Sequence, residues 1–125
     1  MDNKTFSIQF ESRTKQFAID ILKLSAQLPA SYEGRVIRNQ ISKSGTSIGA
    51  NYREANRAKS KADFKYKIKI SEGEASETLY WLEIIEEMQW LPLELIKTTM
   101  KEAKEILAIF TSISKGLNEK KRTTN

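Results

Sequence analysis

The sequence predicts an all-α protein, an antiparallel up-down-up-down four-helix bundle. Apolar residues recur three or four positions apart in four segments, and no segment alternates apolar and polar residues as a half-buried strand does. Only two prolines and five glycines interrupt the 125 residues, and the connections between segments are short, which favours an antiparallel arrangement. The length suits one domain. We therefore predict a four-helix bundle over residues 1–118 and a basic flexible tail over residues 119–125.

The first two predicted helices are separated by a segment rich in turn-forming residues. The first helix, about residues 5–27, places Phe17, Ile21 and Leu24 three or four positions apart, and the segment "LPASYEGR" ends it. The second helix, about residues 32–57, begins after Ser31, because serine is a preferred N-cap residue. Its apolar stripe keeps one phase along the whole helix, through Ile37, Ile41, Ser44, Ile48, Tyr52 and Ala55.

The third and fourth predicted helices also begin at recognisable signals. Ser60 is expected to cap a helix over about residues 61–90, and Asp63 lies in its first turn, where a carboxylate suits the helix dipole. Pro92 is expected to start a helix over about residues 92–117, because proline is tolerated in a first turn. The stripe of this fourth helix consists of Leu95, Thr99, Ala103, Ile106, Phe110, Ile113 and Leu117.

The composition excludes several kinds of site. The chain contains no cysteine, which excludes disulfides, thiolate metal sites and cysteine nucleophiles. It contains no histidine, the commonest general base and zinc ligand. The first residues lack the apolar core of a signal peptide, and no apolar run approaches the length that spans a bilayer. We expect a cytoplasmic protein with no cofactor, no metal and no membrane attachment.

The third helix is predicted to be apolar on two sides. Phe64, Ile68, Ser71, Ala75, Leu79 and Leu82 share the face that we expect to form the core of the bundle. A four-helix monomer covers only one side of a helix, so a second apolar face needs a partner outside the chain. We therefore expect a homo-oligomer whose interface consists of Tyr66, Ile70, Gly73, Tyr80, Ile84 and Met88, with Trp81 at its edge.

Basic and acidic residues are segregated along the chain, whose formal net charge is +5. Residues 53–69 contain seven lysines and arginines against two carboxylates, whereas residues 72–105 contain nine glutamates against three lysines. Such segregation can steer a polyanion to one part of the surface. We expect RNA or DNA to be bound mainly through its backbone, with the contacts made by Arg35, Arg53, Arg57, Lys59, Lys61, Lys65 and Lys69.

Residues 42–49 are rich in glycine, serine and threonine, as phosphate-binding loops are. A Walker-type loop also needs Gly-Lys-Ser/Thr after a strand, and "SGTSIGAN" has neither. The unbroken stripe predicts a helix whose small residues let another helix approach closely. We assign this close packing to Ser44, Gly45, Ile48, Gly49 and Asn51, and we expect the amide of Asn51 to find a partner such as Glu72 or Thr78 on the third helix.

The stretch "NQISKSGTSIGANYREANRAKSKADFKYKIKISEGEASETLYWLEIIEEM" resembles the signature of the four-helix-bundle proteins encoded within intervening sequences of bacterial 23S rRNA genes, the S23 ribosomal protein family. It is also similar to the accessory variability protein of diversity-generating retroelements. The shared features are a glutamine, the motif Ser-x-x-Ser-Ile-x-Ala-Asn, a basic stretch containing Ser60, Asp63 and Phe64, and the Glu/Leu-rich third helix. Many members have Ala-Asn-Ile-Ala-Glu-Gly where this chain has "ANYREA", so the residues after Asn51 differ from the common pattern.

The resemblance implies a fold, an assembly and a role. The implied fold is an antiparallel four-helix bundle, the implied assembly is a homopentamer with a basic surface, and the implied role is non-enzymatic nucleic-acid binding. A second role follows from the retroelement relatives, namely an adaptor that recruits a nucleic-acid enzyme such as a reverse transcriptase. Sequence alone leaves the choice between direct nucleic-acid binding and protein recruitment open.

An enzymatic alternative also exists. Glu83-x-x-Glu86 and Glu102-x-x-Glu105 resemble the paired carboxylates with which all-α nucleotide pyrophosphohydrolases hold Mg²⁺. These glutamates lie off the apolar stripes, however, and Lys101 and Glu105 have the i,i+4 spacing of an ordinary helical ion pair. A solvated acidic face is therefore the favoured interpretation.

Overall fold

The computed structural model describes the backbone of residues 2–123 and the side chains of residues 2–118. Four helices follow one another: α1 (Asn3–Ser25), α2 (Tyr32–Asn56), α3 (Lys61–Met88) and α4 (Leu93–Thr123). Within residues 2–123 there is no strand, and the predicted all-α four-helix bundle is confirmed. Helix α4 continues past Leu117 to Thr123. The side chains of the predicted tail, residues 119–125, lie outside the described part of the chain. The backbone of Thr124 and Asn125 lies outside it as well.

Short polar side chains fix the first turn of three helices. The Asp2 carboxylate accepts a hydrogen bond from the Thr5 backbone N–H at 2.7 Å, and this bond lowers the pKa of Asp2. The Ser31 and Ser60 hydroxyls accept from the backbone N–H groups three residues later, at 3.1 Å each. Both serines are therefore N-caps, as the sequence predicts.

The connection between α1 and α2 is tied to both helices. Arg38 of α2 donates to the carbonyl oxygens of Ser25, the last residue of α1, and Leu28, in the connection, at 3.1 and 2.8 Å. Gly34 lies against the backbone of Pro29, where a Cβ atom would overlap the Pro29 carbonyl oxygen. Only glycine therefore fits this position without a shift of the backbone.

The core combines buried aliphatic residues with one aromatic cluster. The rings of Phe10 on α1, Tyr52 on α2 and Phe110 on α4 lie 4.9 to 5.6 Å apart between centroids and join three helices. The α2 stripe points inward as predicted, with Ile41, Ile48 and Tyr52 at most 2% exposed. The buried apolar residues of α3 and α4 include the predicted Ile68, Ala75, Leu82, Ala103, Ile106 and Phe110, and in addition Ile85, Ile96 and Met100.

Residues 42–49 lie inside α2 and pack against two neighbouring helices. On the α1 side, a Cβ atom at Gly45 would lie 2.7 Å from Cγ2 of Ile21, and one at Gly49 would lie 3.0 Å from Oγ1 of Thr14. Both glycines therefore allow a close approach of α1 to α2.

On the α3 side, buried hydroxyl groups join α2 and α3. The hydroxyl oxygens of Ser44 and Thr78 lie 2.9 Å apart, and the Ser71 hydroxyl donates to the Ile48 carbonyl oxygen at 2.9 Å. The Asn51 amide donates to the Ser47 carbonyl oxygen of its own helix at 2.9 Å. The expected bond from Asn51 to Glu72 or Thr78 is therefore wrong, because a half-buried amide already finds an acceptor one turn back.

Helices α1 and α4 form the least extensive of the four helix-to-helix contacts. Arg13 of α1 bridges this seam: its Nε donates to Oε2 of Glu102 at 2.8 Å, and its Nη2 donates to Oε1 of Glu102 at 2.6 Å and to Glu105 at 3.2 Å. The hydrogen bonds to Glu102 raise the pKa of Arg13. Glu105 is thus held by Arg13, and the i,i+4 ion pair expected between Lys101 and Glu105 does not form.

Candidate nucleic-acid interface

The antiparallel order of the helices brings basic residues to one end of the bundle. The end of α2, the start of α3 and the connection between them carry Arg53, Arg57, Lys59, Lys61 and Lys65, which together we call the basic end. The first turn of α1 and the last turn of α4 lie at the same end, because each of them runs antiparallel to its neighbour. Lys4 of α1 is also exposed at this end of the bundle, although it was not among the predicted contacts.

The cations of the basic end differ in how far neighbouring carboxylates neutralise them. Arg57, Lys59 and Lys61 are exposed, and within the described part of the chain they form no ion pair. Lys65 is half-buried and likewise has no carboxylate partner among described side chains. Arg53 lies 3.4 Å from Glu11, at 48% exposure of its side chain. Four of the five predicted cations here thus remain available to an external anion.

Two of the seven predicted contact residues lie outside the basic end. Arg35 lies near the start of α2, and at 1.5 Å per residue it is about 27 Å along the helix from Arg53. Its Nη1 donates to the Ala30 carbonyl oxygen, so it caps the connection between α1 and α2. Lys69 lies 3.7 Å from Glu72 on the flank of α3. The seven residues therefore do not form one patch, because helix length separates positions that sequence charge alone groups together.

Two carboxylates near the basic end, Glu11 and Glu54, are engaged with other side chains, whereas Asp63 in the first turn of α3 is exposed and has no side-chain partner among the described residues. Glu11 accepts from Asn56 at 2.9 Å in addition to its ion pair with Arg53. Glu54 lies 3.2 Å from Lys67, which pairs α2 with α3. The connection itself, residues 57–60, carries two cations and no carboxylate. The local charge of this connection is therefore positive.

The second face of α3 lies outside the bundle, as far as the described side chains show. Tyr66, Tyr80 and Met88 are 62%, 55% and 50% exposed. Gly73 is exposed too, and a Cβ atom there would meet nothing within 4 Å. The remaining members, Ile70, Trp81 and Ile84, are half-buried.

Two features modify this α3 face. The Trp81 ring packs edge-on against Tyr80 at 5.0 Å and its Nε1 donates to Glu77 at 3.3 Å, so its own chain partly covers it. Glu77 also lies within the face and interrupts the apolar stripe. The face is thus apolar with one carboxylate near its middle.

A second exposed apolar face, which the sequence analysis missed, lies on α1. Ile8 and Leu22 are 62% and 48% exposed, and the half-buried Ile19 lies between them on the same side of the helix. The exposed Ser12 and Lys15 lie on this side too and interrupt the apolar face. Spacing alone could have revealed it, since positions 8, 19 and 22 repeat with the helical period. Among residues 2–123, α1 and α3 make no contact with each other, so they are diagonal in the bundle. The two apolar faces therefore point to opposite sides of the molecule.

The four glutamates of the enzymatic alternative do not form a site. Glu102 and Glu105 turn towards Arg13, whereas Glu83 is exposed on α3 and Glu86 is half-buried on that helix. Among residues whose side chains are described, no three acidic side chains are close enough together to hold a metal ion. No helix in the described part of the chain has the length and apolarity required to cross a bilayer.

The fold and its surfaces define a small four-helix-bundle protein with exposed apolar helix faces and a basic end. Residues 7–112 match the family model described as 23S rRNA-intervening sequence protein, and the chain belongs to this family. It is similar to a crystal structure of a protein of unknown function from the S23 ribosomal protein family of Bacteroides thetaiotaomicron VPI-5482. The two chains are 38% identical, the match covers 84% of this chain and 97% of that one, and the TM-score is 0.78. No curated protein matches the sequence.

Proposed function

We propose that this protein is a non-enzymatic, oligomeric nucleic-acid-binding protein that contacts the phosphodiester backbone through its basic end. The observation that carries the proposal is the set of three exposed cations, Arg57 and Lys59 in the α2–α3 connection and Lys61 at the start of α3, none of which has a carboxylate partner among the described side chains. Cations that are not neutralised within the protein can displace the counterions condensed on a nucleic acid, and this release drives binding.

Recognition of the backbone rather than of the bases fits the side chains at this end. Tyr52 is only 2% exposed and cannot stack on a base, and the exposed Tyr66 belongs to the α3 face that we assign to the oligomer interface. The connection presents one arginine and a lysine, and both suit phosphate oxygens in any sequence. Binding is therefore expected to depend steeply on salt and weakly on sequence.

The proposed oligomer uses the apolar faces of α1 and α3. Because these faces differ and point to opposite sides, one copy can offer its α1 to the α3 of the next, a head-to-tail contact that closes into a ring when the rotation allows it. A homopentamer, which the family resemblance implies, is one such ring.

Contacts within the bundle indicate that the apolar residues of the α1 face and the α3 face lie at similar heights along the bundle axis. Ile21 lies against Gly45, which is next to Ser44, the partner of Thr78. Measured along the bundle axis, position 21 of α1 is therefore at about the height of position 77 of α3. Leu22 lies within one helical turn of the height of Tyr80. The same offset brings Ile8 to the level of Tyr66. Parallel packing of α1 on a neighbour's α3 would thus bring apolar residues together, with Gly73 leaving room for close approach.

The proposed binding site is tested by neutralising two cations of the basic end. We expect Arg57→Gln with Lys61→Gln to weaken binding to labelled duplex DNA, structured RNA and single-stranded DNA in fluorescence anisotropy. The matched control is Lys23→Gln with Arg35→Gln, which removes the same charge from the opposite end of the bundle. Equal affinity of the two variants would contradict the assignment to the basic end. No binding of the nuclease-treated wild type even at low salt would contradict nucleic-acid binding itself and direct attention to a protein partner.

A further inference from the structure

A row of lysines runs along the outer side of α4, at a distance from the five cations of the basic end. Lys97, Lys101, Lys104 and Lys115 are all exposed, and none of them forms an ion pair with a described carboxylate. At 1.5 Å per residue the row is about 27 Å long. Lys97, Lys101 and Lys104 lie in the first half of α4, next to the end of α3. The basic end lies beyond the second half of α4.

The Arg13 bridge accounts for two of these lysines, Lys101 and Lys104, not being neutralised by their own helix. Glu102 and Glu105 are the glutamates of α4 nearest Lys101 and Lys104 in sequence, and both bond to Arg13 on α1. An ordinary i,i+4 pair between Lys101 and Glu105 is thereby replaced by a contact across the α1–α4 seam. The charge of the two glutamates is partly balanced from α1, which leaves the lysines of α4 with an excess of positive charge.

The lysines line a shallow groove along α4. Its lining includes Met100, Leu107 and Ala108. Lys97, Lys101 and Lys104 follow one another about one helical turn apart, and Lys115 lies about three turns beyond Lys104. Glu86 of α3 and Glu105 also line the groove at the end that contains Lys97, Lys101 and Lys104. Three lysines against two glutamates, one of which is held by Arg13, leave this end positive. The groove consists of two shallow, open pockets that adjoin at Lys104 and Ala108, and together they follow α4 in the direction that a linear polyanion would take.

We propose that the lysine row of α4 is a second contact surface for the phosphodiester backbone of a nucleic acid. The proposal rests on the proposed function and extends it to the lysines of α4. Charge counted along the sequence does not indicate this surface, because residues 72–105 contain more glutamates than lysines. Charge complementarity supports this second contact surface, because lysines spaced along a rigid helix present point charges to successive phosphates. A nucleic acid that reached from the basic end along α4 would contact the bundle over most of its length.

The test compares the salt dependence of binding in four proteins: the wild type, Lys101→Gln with Lys104→Gln, the basic-end variant Arg57→Gln with Lys61→Gln, and the control Lys23→Gln with Arg35→Gln. The probes are a labelled DNA duplex and its separate single strand. Each lost phosphate contact reduces the slope of log K against log salt by about 0.9 for a duplex and about 0.7 for a single strand. The α4 variant is therefore expected to lose about 1.8 and about 1.4, respectively, if both lysines contact phosphates.

The outcomes separate the two proposals. A reduced slope in the α4 variant and an unchanged slope in the control would support the lysine row. Wild-type binding with a slope that the α4 substitutions leave unchanged, or change no more than the control does, would overturn the row and leave the basic end standing. No wild-type binding to nucleic acid, with binding instead to an acidic polypeptide such as polyglutamate, would overturn both. Circular dichroism checks the helices, which exposed lysine-to-glutamine substitutions should not perturb.

Discussion

The guanidinium group of Arg13 on α1 holds the carboxylate of Glu102 on α4 with two hydrogen bonds, Nε to Oε2 at 2.8 Å and Nη2 to Oε1 at 2.6 Å. The residues are far apart in sequence and join the two helices that pack least extensively. The same guanidinium also bonds to Glu105. This one arginine therefore both closes the bundle and determines which charges of α4 remain exposed.

Replacing Arg13 should open the α1–α4 seam. We expect Arg13→Ala to lower the free energy of unfolding by about 1 kcal/mol, since a bidentate pair that is about one-third exposed is stronger than an average surface ion pair and weaker than a buried one. Urea unfolding at a fixed protein concentration measures the change. Ser12→Ala, at the exposed neighbouring position, is the control and should change stability by less than about 0.5 kcal/mol. Equal effects of the two substitutions would argue against a stabilising bridge.

Two glycines should respond to alanine in opposite directions. A Cβ atom at Gly45 would lie 2.7 Å from Cγ2 of Ile21, so Gly45→Ala should destabilise the bundle by about 1–3 kcal/mol through overpacking. A Cβ atom at Gly73 would meet nothing within 4 Å, so Gly73→Ala should increase the stability of the isolated bundle by up to about 1 kcal/mol through helix propensity. Thermal unfolding of both variants, at a protein concentration at which light scattering gives the mass of the monomer, provides the comparison. A destabilising Gly73→Ala under these conditions would contradict an open environment of Gly73.

The α3 face should be sensitive to a new charge if it forms the oligomer interface. We expect Ile84→Glu to dissociate the oligomer, because it places a carboxylate on a half-buried apolar position. Gln40→Glu, which adds a carboxylate at an exposed position of α2, should leave the oligomer intact. Light scattering gives the mass of each variant. A wild-type mass for Ile84→Glu would remove this residue from the interface.

We expect the contribution of Glu74 to the free energy of unfolding to be less favourable at neutral pH than at acidic pH. Burial, followed by the nearby Glu77, raises the pKa of Glu74, and Lys43 only partly offsets these effects. A carboxyl group with a raised pKa in the folded state favours folding when it is protonated, so its contribution is present below its ordinary value of 4.5 and is lost as the pH rises. Glu74→Gln should therefore stabilise the protein at pH 7, by no more than about 0.5 kcal/mol because solvent screens this partly exposed group, and have less effect at acidic pH.

The pH dependence of unfolding in urea tests the Glu74 prediction. The control is Glu83→Gln, which removes the same charge from an exposed position of α3. A stabilisation that is independent of pH, or that is shared equally by Glu83→Gln, would contradict an effect specific to the environment of Glu74.

The sequence was sufficient to predict the helices and the α2 stripe, because both depend on local spacing and capping. It was less informative about α4, where Ile96 and Ser114 are buried while the predicted Leu95 and Ile113 are only half-buried. Apolar spacing defines the width of a stripe, but the neighbouring helices determine its centre. Ser114 illustrates this, since it lies within α4's buried face and donates to Glu72 of α3 at 3.3 Å.

The candidate site was predicted in part. Local sequence charge identified the cations around the α2–α3 connection, because these residues are adjacent in the chain. It also grouped Arg35 with them, although the length of α2 separates it from the basic end. The lysine row of α4 was not predicted, because the Arg13 contacts that neutralise Glu102 and Glu105 depend on tertiary structure.

The most direct test of the account is the salt dependence with which the nuclease-treated wild-type protein binds structured RNA, duplex DNA and single-stranded DNA, with the oligomeric mass determined in parallel. We predict binding to all three nucleic acids that weakens steeply with salt. For the duplex, log K should fall with log salt with a slope of about −3.6 or steeper, as expected when four unneutralised cations of the basic end contact phosphates. No binding at low salt, or affinity that does not change with salt, would contradict the proposed phosphate-binding function.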